Sequence, residues 1–293
     1  MTVLELIQRT SEFLKRKGVD SPRLQAELLL AHVLHLPRMQ LYLNFEKKLA
    51  PAELDQFREF VRRRGQREPL QHIVGSVSFC GYEIGVNRHV LVPRPETELL
   101  AECGWQFLNE CAKGQAGPLN VLDYGTGSGC LAIALASKCP LAEIQAVDVS
   151  EQALGVARQN AARNNVASRV HFHTTDGVVA RPADLLFKLI ISNPPYIATA
   201  QIERLQPEVR DYDPRPALDG GPDGLHYYRR LSVESVERLE PEGRIMLELG
   251  DDQAEAVRDL FQAQNWIVER IAEDYTQRPR IMIARKCIER RSG

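Results

Sequence analysis

From Glu96 onward the sequence alternates short apolar runs with helical patterns, and this alternation limits the possible folds more than any other feature. Runs at Leu119–Asp123, Glu143–Asp148, Arg169–Thr174, Phe187–Ser192, Arg244–Leu249, Trp266–Ile271 and Arg280–Ala284 predict seven strands. Helical patterns separate most of the earlier ones, which implies a mostly parallel sheet covered on both faces. Such sheets take ligands outside the carboxyl ends of their strands. The short connection before the last run predicts an antiparallel closure. The expected fold class is α/β and Rossmann-like, and no internal repeat interrupts it.

The first part reads differently. Val3, Leu6, Ile7, Thr10, Phe13 and Leu14 recur at helical spacing up to Gly18. Ser21-Pro22 predicts a capped helix start, with Leu24, Leu28, Leu29, His32 and Val33 on one face. A short helix is expected after Pro37, and another from Pro51 with Leu54, Phe57 and Val61 inward and Arg62, Arg63 and Arg64 outward. From His72 to Val92 the period changes to alternation around Gly81, the pattern of a β-hairpin. The predicted organisation is therefore a helical domain over 1–70, a hairpin linker over 71–92 and an α/β domain over 93–293.

Composition excludes several classes. The 293 residues are 44% hydrophobic and 26% charged, the balance of a globular protein rather than a disordered or fibrous one. No run approaches the ~18–20 apolar residues of a membrane helix, and Glu5 and Arg9 interrupt the N-terminus, so a cytoplasmic protein without a signal peptide is expected. The six cysteines never fall at C-x-x-C spacing and are expected to be packed, reduced thiols. His171 and His173 share a strand face without an evident third ligand, so no metal is expected. The net charge of −2 hides an asymmetry: through Ile73 there are 13 Lys and Arg against 9 Asp and Glu, so the remainder is acidic. An acidic α/β region argues against a nucleic-acid channel.

Two strand ends carry the chemistry. Val121-Leu122-Asp123-Tyr124-Gly125-Thr126-Gly127-Ser128-Gly129 leads from a strand into the apolar helix at Leu131–Ala136. No Lys-Ser/Thr follows, so it is not a Walker loop, and Cys130 stands where a dinucleotide fingerprint has its last glycine. Asp148 ends the next predicted strand, where a carboxylate accepts both hydrogen bonds of a ribose diol. Asp123 would repel a pyrophosphate but attract an ammonium. A ribose, an ammonium and no phosphate describe S-adenosylmethionine.

The second strand end is Ser192-Asn193-Pro194-Pro195-Tyr196-Ile197. Two prolines remove N–H donors, so the turn presents acceptors. The Asn193 amide oxygen and the Pro194 carbonyl together suit both hydrogens of a planar NH₂ group, and Tyr196 suits its face. Accepting both hydrogens pushes electron density back onto a delocalised nitrogen, and alignment with a methyl sulfonium completes an in-line displacement.

On these residues the chain resembles the PrmC/HemK family, methyltransferases that modify the glutamine of the Gly-Gly-Gln motif in class I peptide chain release factors. The likeness includes Asp20–Leu34, Glu68–Gly75, Val90–Glu98 with its Pro93-Arg94-Pro95-Glu96-Thr97 run, the glycine loop, Asp148 and Asn193–Ile197. The resemblance implies a class I S-adenosylmethionine-dependent methyltransferase with a helical substrate-docking domain. It also implies that Gly125, Thr126, Gly127, Ser128 and Gly129 cradle the cofactor while Asp148 holds its ribose. Asn193, Pro194, Pro195 and Tyr196 would hold the glutamine amide, and Arg94 and Glu96 would lie near the entrance. Asp213 stands where relatives more often have glutamate.

The same platform could serve a ribosomal-protein glutamine or an exocyclic amine of nucleic acid, and a cofactor-binding adaptor is the non-enzymatic alternative. Intact paired acceptors argue against the adaptor, because a pure binder has no use for them. A monomer is expected.

Overall fold

The computed structural model describes residues 1–115, 117–178 and 185–287. The chain divides into two compact units, Met1–Ser76 with Leu205–Tyr212, and Val77–Arg204 with Asp213–Gly293.

The first unit is helical. It holds α1 (Val3–Arg16), α2 (Pro22–Val33), a 3₁₀ turn at Arg38–Leu43, α3 (Pro51–Gly65) and α4 (Leu70–Val74). A capping box starts α1: the Glu5 amide donates to Thr2 Oγ1, and the Thr2 amide donates to the Glu5 carboxylate. Leu6, Ile7, Leu29, Leu30, Leu41 and Phe57 form the core.

Three expectations need correction here. The buried face of α2 is Ala26, Glu27, Leu29, Leu30, Ala31 and Val33, leaving Leu24 exposed and Ser21 in a left-handed conformation without a side-chain cap bond. Alternation was the wrong period for 71–75, since Leu70–Val74 is helical and stops at the left-handed Gly75. Third, Arg64 does not face solvent.

Arg64 Nη2 and Arg67 Nε both donate to Glu208 Oε1, at 2.8 and 2.7 Å, and Arg67 Nη2 donates to Glu208 Oε2 at 2.5 Å. Glu208 lies in α5 (Pro207–Arg210), within the chain segment that joins this unit from far along the sequence, and the Tyr212 hydroxyl donates to the Gln66 carbonyl at 2.8 Å. Burial works to raise the Glu208 pKa, and the bonds from Arg67 and Arg64 together outweigh it and lower the value. Arg63 pairs with Glu68 and Arg62 with Glu59. The arginine cluster is thus a set of internal ion pairs.

The second unit takes in, from Val77, the hairpin of β1 (Ser76–Phe79) and β2 (Tyr82–Gly85), turned at Cys80 and Gly81, both with positive φ as a type I′ two-residue turn requires. Phe79 and Ile84 of the hairpin belong to this unit's main core. Along the chain then come α6 (Pro95–Ala112), β3 (Leu119–Tyr124), α7 (Cys130–Lys138), β4 (Ala142–Asp148), α8 (Glu151–Arg163), β5 (Val170–Thr174) and β6 (Phe187–Ser192). They are followed by α9 (His226–Glu234), β7 (Leu239–Glu248), α10 (Ala254–Ala263), β8 (Trp266–Glu273) and β9 (Pro279–Lys286).

All seven expected strands are present, in the order β5-β4-β3-β6-β7-β9-β8. The five from β5 to β7 are parallel, and β9 runs antiparallel to both of its neighbours. Residues of α6, α7, α8 and the hairpin pack on one face, and those of α9 and α10 on the other. Burial on both faces explains why β6 is apolar from Leu189 to Ile191, with Lys188 buried near its start and Ser192 at its end. From β3 the chain proceeds outward to β4 and β5, then returns to β6 on the other side. The carboxyl ends of β3 and β6 therefore flank the point where the winding reverses, the position at which such sheets bind ligands.

Candidate active site

A pocket opens at these carboxyl ends. Its wall takes Gly125 and Gly127 after β3, Asp148 at the end of β4, Thr175 past β5, and Asn193 and Pro195 after β6. Val90, Pro214 and Tyr227 close it from other directions. The Ser192 hydroxyl donates to the Tyr124 carbonyl at 2.7 Å and so ties together the two strands whose loops form the wall.

The glycine loop is held from beneath. The Gly125 and Thr126 amides both donate to the Val147 carbonyl at 2.9 Å. Asp123, fully buried, accepts at Oδ2 from Thr126 Oγ1 at 2.7 Å and from the Ala132 amide at 3.1 Å. Burial pushes the Asp123 carboxyl up to about 7 against these two bonds, and its Oδ1 is buried without a partner. Gly129 is left-handed, and a Cβ there would meet Ala157 Cβ at 3.1 Å, so glycine is needed for the approach of α8. Asn160 locks the arrangement from α8: its Nδ2 donates to the Ser128 and Gly85 carbonyls, and its Oδ1 accepts from the Gly85 amide.

These contacts divide the expected cofactor residues. Gly125, Gly127 and Asp148 line the pocket, whereas Asp123, Thr126, Ser128 and Gly129 lie behind it. The Thr126 hydroxyl is spent on Asp123, and Ser128 is buried, so the loop turns its side chains inward and its backbone outward. Asp148 accepts from the Gly127 amide at Oδ2 and from the Ser150 amide at Oδ1, each at 2.9 Å. Burial raises its pKa against those bonds. Its carboxylate is fixed in place while each oxygen retains acceptor capacity toward the pocket.

On the other side of the pocket, Asn193 Nδ2 donates to Thr97 Oγ1 at 3.1 Å. Thr97 Oγ1 in turn donates to Glu248 Oε2 at 2.6 Å. Thr97 stands in the first turn of α6 and Glu248 at the end of β7; both are at most 2% exposed. Burial pushes Glu248 up to about 7, opposed by the Thr97 bond and the positive charge of Arg280. Pro194 is buried and does not line the pocket, nor does Tyr196, whose phenol is pushed up mainly by burial. The Tyr196 carbonyl accepts from Gln253 Nε2 at 2.9 Å, which fixes the backbone leaving the double proline.

Neither residue expected at the entrance is part of the pocket wall itself. Arg94 Nη2 donates to Asp213 Oδ2 at 2.8 Å, and burial pushes Asp213 up to about 6 despite that partner. Arg94 thus anchors the segment that brings Pro214, Pro216 and Ala217 to the pocket. Glu96, half-exposed in the first turn of α6, does not line it. Three groups escaped the sequence reading. Thr175 follows from the strand-end rule applied to β5, and Tyr227 sits in an aromatic run, His226-Tyr227-Tyr228, that carries a weak signal. The Thr97–Glu248 bond joins positions 151 apart and leaves none.

Among the described residues no group of His, Cys, Asp and Glu could hold a metal ion. His171 instead meets Glu143 at 3.1 Å and His173 meets Gln145 at 2.7 Å. The cysteines among them are all free, and no helix there is long and apolar enough to cross a membrane.

Comparison with known proteins agrees with this geometry. Residues 5–75 match the model of the PrmC N-terminal domain, and residues 102–206 that of the methyltransferase small domain. The release factor glutamine methyltransferase of Chlorobaculum tepidum is 43% identical over 94% of this chain and 94% of its own. That of Geobacter sulfurreducens is 45% identical over 89% of this chain and 88% of its own. Among solved structures, the hMettl16 catalytic domain in complex with the MAT2A 3'UTR hairpin 6 is similar at a TM-score of 0.55, with 13% identity, over 82% of this chain and 83% of that one, a likeness of fold. With identity of this extent across both units, the chain belongs to the family of release factor glutamine methyltransferases.

Proposed function

We propose that this enzyme transfers a methyl group from S-adenosylmethionine to the side-chain amide nitrogen of the Gly-Gly-Gln glutamine in class I peptide chain release factors. The observation that carries the reading is the meeting, in one pocket, of the fixed Asp148 carboxylate with Asn193 and Pro195 of the double-proline turn. The residues suit the cofactor. Asp148 would hold the ribose diol and the Gly125 and Gly127 backbone would pass beside the methionine portion, while Asp123 braces the loop from behind. Tyr227 offers a ring to a planar base. When bound, the cofactor supplies an electrophilic methyl on a sulfonium.

The protein's own task is the nucleophile. Asn193 Oδ1 and the Pro194 carbonyl accept the two hydrogens of the glutamine NH₂, holding it planar and raising electron density on nitrogen. The N–C bond forms as the C–S bond breaks, and the nitrogen then sheds one proton to water. No strong base is required before attack. All these groups come from one chain, and the monomer is the acting unit in this reading.

The helical unit is the substrate-docking part in this account. A glycine-rich loop offers few side chains to read, so specificity must come from elsewhere on the partner. The unit exposes Leu24, Met39, Tyr42 and Leu43, with Leu43 at 85%, while its Arg62–Arg67 cluster is paired with Glu59, Glu68 and Glu208. Exposed apolar side chains beside an arginine cluster already held by carboxylates suit a protein partner better than a phosphate backbone. Methyl transfer from labelled cofactor to purified release factors, ribosomal proteins and RNA tests the assignment. Label on the Gly-Gly-Gln glutamine alone is expected; label on RNA or on a ribosomal protein instead would redirect it.

A further inference from the structure

Asn193 has an amide that can be turned two ways, and only one of them presents an acceptor to a substrate NH₂. The turn following β6 fixes the backbone but leaves that choice to a neighbour. The neighbour is Thr97, whose single hydroxyl proton has two claimants. Thr97 Oγ1 lies 2.6 Å from Glu248 Oε2, and once Glu248 is ionised, above about pH 7, it has no proton to give, so Thr97 donates to it. With its proton committed, the Thr97 oxygen can only accept, and it accepts from Asn193 Nδ2 at 3.1 Å.

We propose that Thr97 and Glu248 are positioning residues for methyl transfer, a two-bond relay that holds the Asn193 amide with its nitrogen inward and Oδ1 facing the glutamine. This rests on the reading of Asn193 as the acceptor of the glutamine NH₂. The fold supplies the relay from three elements at one sheet edge. Leu247 is in register with Ser192 across the parallel pair β6 and β7, which puts Glu248 beside Asn193. The first turn of α6 lays Thr97 over the two. The Tyr228 hydroxyl donates to the Glu248 carbonyl at 2.8 Å, and Arg280 Nη1 donates to the neighbouring Leu249 carbonyl at 2.8 Å, so the strand end does not drift. If the relay ran the other way, Asn193 would offer N–H groups to an NH₂ donor.

Thr97→Val keeps the shape and removes the hydroxyl, and Thr97→Ser restores it. Single-turnover methylation of an intact release factor with saturating S-adenosylmethionine should slow about tenfold or more in Thr97→Val, with cofactor affinity by calorimetry within about twofold, and recover to within a fewfold in Thr97→Ser. A double-mutant cycle separates orientation from packing. In an Asn193→Ala background, Thr97→Val should cost nothing further in rate. Losses that multiply, or a Thr97→Ser variant as slow as Thr97→Val, would overturn the relay while leaving the Asn193 platform standing. A parental rate for Asn193→Ala would instead remove the platform itself. Should Thr97→Val fail to fold, Glu248→Gln serves, since its amide can donate toward Thr97 and blur the direction of the bonds. A several-fold slower rate is expected, and an unchanged one would contradict the proposal.

Discussion

The turns that follow β3 and β6 leave neighbouring parallel strands at the same end of the sheet, yet they are built from opposite backbone chemistry. The first is glycine-rich, takes left-handed conformations at Gly125, Gly127 and Gly129, and turns its side chains down onto Asp123. The second is proline-rich, has lost two N–H donors, and keeps one polar side chain, Asn193, at the pocket. The first turn, its amides spent on Val147 and Asp148, offers close approach to a firmly held carboxylate, whereas the second offers acceptors and rigidity. The difference assigns binding to one side of the pocket and activation to the other.

The largest effect should come from the second side. Asn193→Ala is expected to fold, to bind S-adenosylmethionine within a fewfold of the parent and to transfer methyl about 10²–10³ more slowly, as loss of one preorganised polar contact at a reacting centre does. Comparing single-turnover rates checks this. Asn193→Asp sharpens the point. By hydrogen-bond capacity alone it is a mild change, because a carboxylate accepts the same bonds. With Thr97 committed to Glu248, however, a second carboxylate would compete for one hydroxyl proton, so the loss should approach that of alanine.

A buried acid behind each turn gives the next effect, on stability. Burial pushes both Glu248 and Asp123 up to about 7. A carboxyl raised in this way keeps its proton in the folded chain after the unfolded chain has released it. Its contribution is full below the unfolded value near 4.5 and is lost as pH rises to about 7. For Glu248 the loss is on the order of 3 kcal/mol, at about 1.4 kcal/mol per unit. Urea unfolding at pH 5 and pH 7.5 should show the parent less stable at the higher pH, and Glu248→Gln should flatten part of that slope. A parent whose stability rises over this interval would show that the fold instead favours the ionised acids.

The first side should respond in affinity. Asp148→Ala removes charge-assisted hydrogen bonds of about 1.5–3 kcal/mol, which weakens cofactor binding by about tenfold or more by calorimetry. The smallest effect belongs to Gly127→Ala. Open space surrounds the site, but φ is +54°, so the cost is backbone strain of about 1 kcal/mol together with a weaker hold on Asp148 through the Gly127 amide. A lowered thermal midpoint with a modest loss of cofactor affinity is the expected pair.

Periodicity and turn chemistry carried most of the architecture, because both are local. The seven strands, the hairpin turn at Cys80-Gly81 and both pocket turns follow from neighbours within a few residues. What the sequence left unread depends on contacts between distant positions. Arg64 and Arg67 look like a solvated helix end until Glu208, more than 140 residues away, supplies their partner. The partner of Arg94, Asp213, lies 119 residues away and is likewise invisible to local pattern. A motif fixes which residues form a loop, not which way side chains turn, and those of Thr126 and Ser128 turn inward. The tilt of α2 was misjudged for a related reason: a helix rich in leucine has more than one apolar face, and packing chooses among them.

The central claim is that the two turns divide binding from activation, and one titration tests it. Single-turnover methylation of an intact release factor would be followed as a function of S-adenosylmethionine concentration for the parent, Asp148→Ala and Asn193→Ala. The account predicts a crossed result, in which Asp148→Ala raises the half-saturating concentration about tenfold or more at a nearly parental plateau, and Asn193→Ala lowers the plateau about a hundredfold or more at a nearly parental half-saturation. A plateau lost in Asp148→Ala, or kept in Asn193→Ala, would contradict it.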